Sequence, residues 1–447
     1  MLRKAFADRI GTTPKVAIAN IVLVANAFIW YFYAFSFLSN LANQTSYSLM
    51  VLGVNFSAVL VSAFFGAYLI DKFKKRVNFL RYWMLAGTVL SVIPILPNIA
   101  NPTLLISISA VLGSYFGLGM PICLGYFAAT TQASNRARLG GVTVLLIGIG
   151  LFVLNSLSLG DVGRTALILG MLRTSGLLIF VLLKPSEKPI DPNNIGSYRS
   201  VFKNRGFLLY FVPWCMFALV NNMSAPLISK IFGDLVSFSW IEYVIAGTFA
   251  VIAGFVGDFL GRKRLTLLGF ALLGIGYGVL AFFPGGSSFG WWFYTIADGV
   301  AFGSFLTVFL LTIWGDIAQE QSSERFYTIG SLPYLLSSFI QFSLGDTLAS
   351  ASIDQSAIFS FASFFLFVAV LPMVYAPETL PEKVMKDRDL KSYVEKAMKK
   401  MQNETGEIHN SVLGKPNEDC PEFRVKTEEE EETSEYEEAR KLAEEYY

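Results

Sequence analysis

The sequence has few of the residue types on which metal sites, hydrolases and disulfide frameworks depend. It contains one histidine, His409, and three cysteines that lie far apart, Cys123, Cys215 and Cys420. A single histidine argues against a His-ligated metal site or a Ser-His-Asp hydrolase. Three scattered cysteines give neither a CxxC motif nor an even set of disulfide partners. We therefore expect no enzymatic activity, no bound metal and no cofactor.

Charge is also scarce, and it is unevenly distributed. Charged residues make up 15% and hydrophobic residues 53% of the 447 positions, whereas a soluble domain carries about 25% charge. From Glu378 onwards there are 12 basic and 20 acidic residues. This contrast predicts a membrane-embedded first part and a charged cytoplasmic tail over residues 377–447, with a helix over 378–402 and an acidic segment of unknown partner after it.

Two further absences narrow the function. No GxxxxGK[ST] loop is present, which argues against an ATP-driven transporter subunit. The basic residues lie between apolar segments and not along one face, so no nucleic-acid partner is expected.

Most of the sequence consists of apolar segments that are long enough to span a membrane. About 20 residues of helix cross a bilayer, and we place twelve such spans at roughly 17–38, 46–70, 79–100, 103–130, 139–160, 164–184, 206–232, 236–260, 265–284, 289–315, 327–350 and 356–376. Twenty lysines and arginines fall in the loops on the side of the N-terminus, and only Arg164 and Lys230 fall on the other side. The positive-inside rule then predicts that both termini are cytoplasmic.

The spans fall into two halves with matching loops. The hydrophilic segment 185–205 reads as a linker between a six-helix half at 1–184 and a second at 206–376. The sequence GAYLIDKFKKR follows span two, and GFVGDFLGRKR follows span eight. The predicted fold is therefore all-α and integral to the membrane, with twelve transmembrane helices in two pseudo-symmetric halves.

These loops resemble the major facilitator superfamily, whose motif after spans two and eight is G-x-x-x-D-[RK]-x-G-[RK]-[RK]. The sequence Ala376-Pro377-Glu378-Thr379 looks like the ending of sugar porters within that superfamily. The resemblance implies a two-domain transporter whose spans one, four, seven and ten line a central cavity. It also assigns a cytoplasmic gate to the loop residues Asp71, Lys72, Arg76, Asp258, Gly261, Arg262 and Lys263.

Three ionisable residues fall well inside the predicted spans: Asp298, Glu242 and Arg173. Burying a charge in a bilayer costs about 2.5–3.5 kcal/mol on insertion scales, so such residues usually mark a pathway. Asp298 on span ten is the main candidate for proton coupling or substrate binding. For Glu242 a place at the membrane interface is the alternative, and for Arg173 the alternative is helix packing.

Side-chain amides complete the set of candidates. Asn221 and Asn222 lie midway along span seven, between two prolines, where a broken helix can present amides and carbonyls to a solute. Asn26, Asn55 and Gln341 are further candidates for substrate binding.

Together these features predict a multi-pass protein of the cell membrane that moves a small organic solute by alternating access. A sugar or carboxylate carried in symport with protons is the leading hypothesis. A proton-coupled multidrug or metabolite efflux antiporter is one alternative, and a non-transporting solute sensor with a transporter fold is another. The predicted partners are the lipid bilayer, the solute and protons.

Overall fold

The computed structural model of the chain describes residues 14–70, 75–96, 101–156, 162–185, 187, 196–233, 240–283, 287–318, 323–350 and 354–380, together with residues 386, 390, 394 and 398. Two predicted gate residues, Asp71 and Lys72, lie outside the described residues, as does most of the predicted tail.

Helices account for the regular structure of the described residues, among which there is no β-strand. The long helices, numbered in chain order, are α1 (Pro14–Asn43), α2 (Ser48–Leu69), α3 (Arg76–Leu90), α4 (Pro102–Thr130), α5 (Arg136–Ser156), α6 (Val162–Leu183), α7 (Arg205–Ile231), α8 (Trp240–Leu260), α9 (Arg262–Phe282), α10 (Ser288–Ala318), α11 (Ser323–Ser350) and α12 (Gln355–Tyr375). A six-residue helix, Tyr198–Lys203, precedes α7 inside the predicted linker.

Ten of the described helices are long and apolar enough to cross a membrane, which makes this a multi-pass membrane protein. The prediction of twelve spans is thus confirmed for ten. Helix α3 has only 15 residues before a 3₁₀ turn at Ile93–Ile95, which is shorter than the about 20 residues that a crossing takes. Helix α11 has 28 residues, but it is not among the ten helices that are apolar enough to cross a membrane.

Local sequence explains several helix ends. The side chain of Asn101 accepts a hydrogen bond from Thr103 N at 3.0 Å at the start of α4, and Asn204 accepts one from Phe207 N at 3.1 Å at the start of α7. The side chain of Asp354 accepts a hydrogen bond from Ala357 N at 3.2 Å at the start of α12. These residues satisfy amide groups that the first helical turn leaves without partners.

Close helix packing builds the centre of the molecule. Helix α2 packs along α4, α9 packs along α12, and α8 packs along α10. Contacts between the two predicted halves run from α5 to α8 and from α2 to α11. The approach of α5 to α8 requires a glycine, because a Cβ at Gly254 would lie 2.6 Å from the carbonyl oxygen of Ala137.

The chain divides into two compact units, Met1–Thr379 and Leu380–Tyr447. In the first unit the described chain leaves α12 at Tyr375, and residues 376–379 are not helical. The predicted tail helix over 378–402 is therefore wrong at its beginning. Residues 386, 390, 394 and 398 are helical, and the acidic segment lies outside the described residues.

Candidate functional site

A cavity of about 290 Å³ lies among α1, α4, α5, α8, α10 and α11. Aromatic rings dominate its wall: Phe28, Phe32, Phe116, Tyr243, Phe302 and Tyr334. The polar atoms of the wall are hydroxyl groups of serine and tyrosine, and no charged side chain lines it among the described residues. The Ser331 hydroxyl is buried without a hydrogen-bond partner in the structure, so it is available to a molecule in the cavity.

Two features of α5 and α10 shape this cavity. A Cβ added at Gly148 on α5 would have no atom within 4 Å, so the residue faces open space in the wall. The segment Leu306–Thr312 of α10 is a π-helix, and two of its residues, Leu306 and Leu310, line the cavity. Such π-helical segments occur frequently at functional sites.

The helices around the cavity differ partly from those that the family resemblance implied. Helices α1, α4 and α10 line it as expected, whereas no described lining residue comes from α7. Helices α5, α8 and α11 contribute instead. The expectation that span seven lines the cavity is thus not met by the described wall.

Asp298 and Glu242 lie against each other between α10 and α8. Asp298 is 3% exposed, and its carboxyl group is within hydrogen-bonding reach of the Glu242 carboxyl. The two helices are close here, since a Cβ at Gly299 would lie 3.1 Å from the carbonyl oxygen of Glu242. The Oδ1 atom of Asp298 is buried without a hydrogen-bond donor. The structure thus joins two of the candidates into one acidic pair.

A chain of hydroxyl groups leads away from this pair. Tyr294 lies next to the Asp298 carboxyl, and its hydroxyl is 3.4 Å from that of Tyr277 on α9. The Tyr277 hydroxyl is 2.5 Å from Ser224 Oγ on α7. Sequence analysis missed these hydroxyl groups because their contacts come from three separate helices.

Arg173 and Asn26 belong to a polar cluster in the first half and not to the cavity wall. The guanidinium group of Arg173 donates to Tyr115 Oη at 2.6 and 3.0 Å and to Asn26 Oδ1 at 2.8 Å. It also lies 4.4 Å from the ring centre of Trp83. Asn26 Nδ2 donates to the Leu172 carbonyl at 2.6 Å. These contacts favour the packing interpretation of Arg173.

Two of the remaining amides, Asn55 and Asn222, form hydrogen bonds within the protein. Asn55 accepts from Tyr31 Oη at 2.7 Å and donates to the Ser109 carbonyl at 3.0 Å. Asn222 donates to Ser337 Oγ at 2.9 Å, which ties α7 to α11. Asn221 and Gln341 are half-buried. None of the five amide candidates lines the described cavity.

The predicted gate residues of the second half form a buried ion-pair cluster. Asp258 pairs with Arg138 at 2.9 Å and with Arg262 at 3.0 Å. Arg262 also pairs with Asp316 at 3.1 Å, and Arg136 forms a short ion pair with the same carboxylate. Arg136 and Arg138 begin α5, whereas the other three residues belong to the second half. The cluster therefore fastens the two halves together.

A second connection between the halves starts from Arg76. Arg76 begins α3 and forms a buried ion pair with Glu324, in the first turn of α11. Glu187 in the predicted linker lies 3.7 Å from the same guanidinium group. Burial raises the pKa of the Glu187 carboxyl, against the opposing effect of Arg76.

Gly261 and Lys263 stabilise the turn between α8 and α9. Gly261 has φ 97° and ψ 156°, a region that is essentially open only to glycine. Glu378 caps α9 by accepting from the amides of Arg262 at 2.9 Å and Lys263 at 3.2 Å. The Lys263 ammonium group donates to the Val374 carbonyl at 2.7 Å. The Pro-Glu-Thr ending thus stabilises the loop for which a gate role was predicted.

Sequence analysis missed the acidic partners of this gate, Asp316, Glu324 and Glu187. A usable signal existed for two of them, because Asp316 and Glu324 flank the short loop between spans ten and eleven, beside Arg325. Their pairing with α3 and α5, however, joins positions more than 170 residues apart in the sequence.

The far end of the cavity carries aromatic contacts between the halves. The rings of Phe35 and Phe342 are 6.0 Å apart, and those of Phe56 and Phe339 are 5.5 Å apart. Along α11, Glu324 lies in the ion-pair layer. Ser331, Tyr334 and Leu335 line the cavity, and Phe339 and Phe342 lie beyond it. The described residues therefore contact each other across both ends of the cavity.

Comparison with known proteins bears on the fold. No protein-family model and no curated protein matches the sequence. The human organic anion transporter MFSD10 (TETRAN) matches in structure with a TM-score of 0.61 and 13% identity, over 80% of this chain and 99% of that one. The E. coli fucose:proton symporter FucP matches with a TM-score of 0.59 and 10% identity, over 81% and 100% of the two chains.

The ten membrane-length helices and the cavity among them define a multi-pass helical membrane protein. The chain has the fold of the major facilitator superfamily, in agreement with the resemblance of its loops. At 10–13% identity the likeness concerns the fold alone, because sites on one fold serve many functions.

Proposed function

We propose that this chain is a secondary transporter that moves a small organic solute across the cell membrane by alternating access. The observation that carries the proposal is the cavity of about 290 Å³ between the two halves, with contacts between the halves at both of its ends. Ion pairs and aromatic contacts of this kind can break at one end while they persist at the other. The names of both structural neighbours describe them as transporters.

The chemistry of the cavity wall indicates which kind of solute it can bind. The names of the two neighbours differ in substrate, an organic anion and fucose with protons, so neither substrate can be carried over. A sugar needs several hydrogen-bond partners, whereas the described wall offers four hydroxyl-bearing residues, Ser36, Ser331, Tyr243 and Tyr334, among apolar ones. Burying polar groups without partners is unfavourable. The wall therefore favours a largely apolar solute over the sugar of the leading sequence hypothesis.

Proton coupling is supported by the acidic pair. Two carboxyl groups that lie against each other repel when both are ionised, so their contact favours a proton on one of them. The pair lies beside the cavity and not in its described wall, where the gain or loss of that proton can act on the contact between α8 and α10. Proton symport and proton antiport are both compatible with this arrangement.

A ligand screen followed by a flux measurement tests the proposal. The purified protein is heated in detergent with sugars, organic acids, amino acids and organic cations at two pH values. A ligand at 100 times its Kd should stabilise the fold by about 2.7 kcal/mol. The solute that stabilises the protein is then followed into proteoliposomes, with and without a pH gradient.

Variants of Gly148 link the flux to the cavity. Gly148→Trp should fill the open space and abolish both the stabilisation and the flux, whereas Gly148→Ala, too small to fill the cavity, should retain them. Uphill flux should be lost in Asp298→Asn while downhill exchange persists. Binding without flux in the wild-type protein would favour the sensor, and flux that survives Gly148→Trp would contradict the cavity as the pathway.

A further inference from the structure

We infer that the solute of this cavity is a lipophilic organic cation whose positive charge is recognised by the Glu242–Asp298 pair. The inference rests on the proposed transport function and adds the chemical class of the substrate. It combines three observations: the aromatic wall, the position of the acidic pair at one end of the cavity, and the lack of a basic partner for that pair among the residues that the structure describes.

The wall suits an apolar cation. Six aromatic rings surround the space, and the face of an aromatic ring attracts a cation through its quadrupole, more strongly where water is excluded. No arginine or lysine lines the cavity in the described part of the chain. An organic anion would meet no opposite charge there, and it would approach the two carboxyl groups beyond the wall.

Helical register places the acidic pair at the far end of this wall. Asp298 precedes the lining residue Phe302 by four residues on α10, and Glu242 precedes the lining residue Ala246 by four on α8. Four residues correspond to about one helical turn, or roughly 5.4 Å along the axis. Both carboxyl groups also act electrostatically on Tyr243 and Tyr334, which lie in the wall itself.

No basic side chain in the described part of the chain balances the charge of the pair. In the described ranges neither Asp298 nor Glu242 takes part in an ion pair, and the ion pairs present lie at the opposite end of the cavity. Among the described residues, the titratable groups near enough to interact electrostatically with the two carboxyl groups are tyrosines: Tyr243, Tyr277, Tyr294 and Tyr334. Asp298 Oδ1, buried and without a donor, is the unused acceptor of the pair.

A cation and a proton would then compete for the same place. With one proton the pair carries a charge of −1, and the release of this proton to water leaves −2. Binding of a monovalent cation beside the pair compensates the charge of the released proton. This arrangement corresponds to exchange of the solute for a proton, the antiport alternative of the sequence analysis.

Two ions of the same shape and opposite charge test the inference. Binding of radiolabelled tetraphenylphosphonium and tetraphenylborate to the purified full chain in detergent is measured by equilibrium dialysis. We expect the phosphonium ion to bind at least tenfold more tightly than the borate. Glu242→Gln and Asp298→Asn should each weaken phosphonium binding at least tenfold, and Gly148→Trp should abolish it.

A matched control removes a carboxylate elsewhere. Asp354→Asn changes the net charge by the same amount at the start of α12 and keeps a capping side chain there, so phosphonium binding should be unchanged. If Asp298→Asn does not fold, Glu242→Gln alone decides the role of the pair.

The other outcomes separate this inference from the proposed function. Equal binding of both ions, tighter borate binding, or phosphonium binding unaffected by Glu242→Gln would overturn the cation assignment. In those cases, sensitivity of the binding to Gly148→Trp would still support the cavity. If neither ion binds while another solute is transported, the cation assignment fails and the transport proposal stands. If no solute of any class binds or moves, both fail.

Discussion

The buried ion pair between Arg76 and Glu324 should hold the two halves together at the predicted cytoplasmic end, so its removal should open that end. Glu324 is 0% and Arg76 is 7% exposed. Removal of one partner of a buried pair typically costs 3–5 kcal/mol. Because Glu187 remains 3.7 Å from Arg76, we expect the lower value, about 3 kcal/mol, in Glu324→Gln.

The size of the effect on conformation follows from this energy. If the closed form alone contains the pair, about 3 kcal/mol corresponds to a shift of up to roughly 150-fold in the equilibrium between closed and open forms. Arg76→Gln should act in the same direction. The double variant Arg76→Gln, Glu324→Gln should lose no more than either single variant, since the two changes remove one shared interaction.

Cysteine labelling in the cavity measures this shift. Gly148→Cys is introduced after replacement of Cys123, Cys215 and Cys420, because a side chain at this position meets open space. The rate of reaction with a membrane-impermeant maleimide is then measured from each face of sealed vesicles. We expect faster labelling from the cytoplasmic face in Glu324→Gln and a corresponding decrease from the other face.

Two results would contradict a role of the Arg76–Glu324 pair in closing this end. One is an unchanged labelling rate in a folded Glu324→Gln protein, which would mean that the pair does not distinguish the two forms. The other is an equal increase in Asp354→Asn, whose carboxylate lies before α12 and outside the ion-pair cluster. The second result would indicate general loosening of the protein.

Two further predictions concern stability. Gly261→Ala should destabilise the protein by about 1–3 kcal/mol, because φ 97° and ψ 156° suit glycine and a Cβ there would meet Glu378. We expect a lower Tm in detergent, and an unchanged Tm would contradict this prediction. Arg173→Gln should also lower the Tm, by an amount that corresponds to about 1–3 kcal/mol, since it leaves polar partners such as Asn26 Oδ1 without their donor. Ligand binding in the cavity should persist in Arg173→Gln, and its loss would return Arg173 to the list of binding residues.

Polar residues inside the spans show what hydropathy leaves undecided. Asn55 and Arg173 were candidates because polar groups in a membrane segment are unfavourable unless they have a use. The structure gives both a use in helix packing, with the hydroxyls of Tyr31 and Tyr115 and the carbonyl of Ser109 as partners. Hydropathy cannot tell such a role from solute binding, since both require a polar residue in an apolar helix.

For the acidic pair, the structure strengthens the case for a functional role, because it brings two separate candidates together. Asp298 and Glu242 were identified one at a time, each from its depth in a predicted span. Their contact depends on the close approach of α8 and α10 at Gly299. A linear pattern contains no information on which face of one helix meets which face of another, so the pair itself could not be predicted.

The sequence by itself indicated the membrane class, the ten helices that qualify as spans and the charged loop around Asp258 and Arg262, because apolar length and tight basic loops are local properties. The assembled helices were needed to show which residues enclose the cavity and which acids pair with the arginines of these loops. Glu324 and Asp316 find Arg76 and Arg136 across 248 and 180 positions of the chain. Such partners are chosen by helix packing, whose geometry arises when all the helices are assembled.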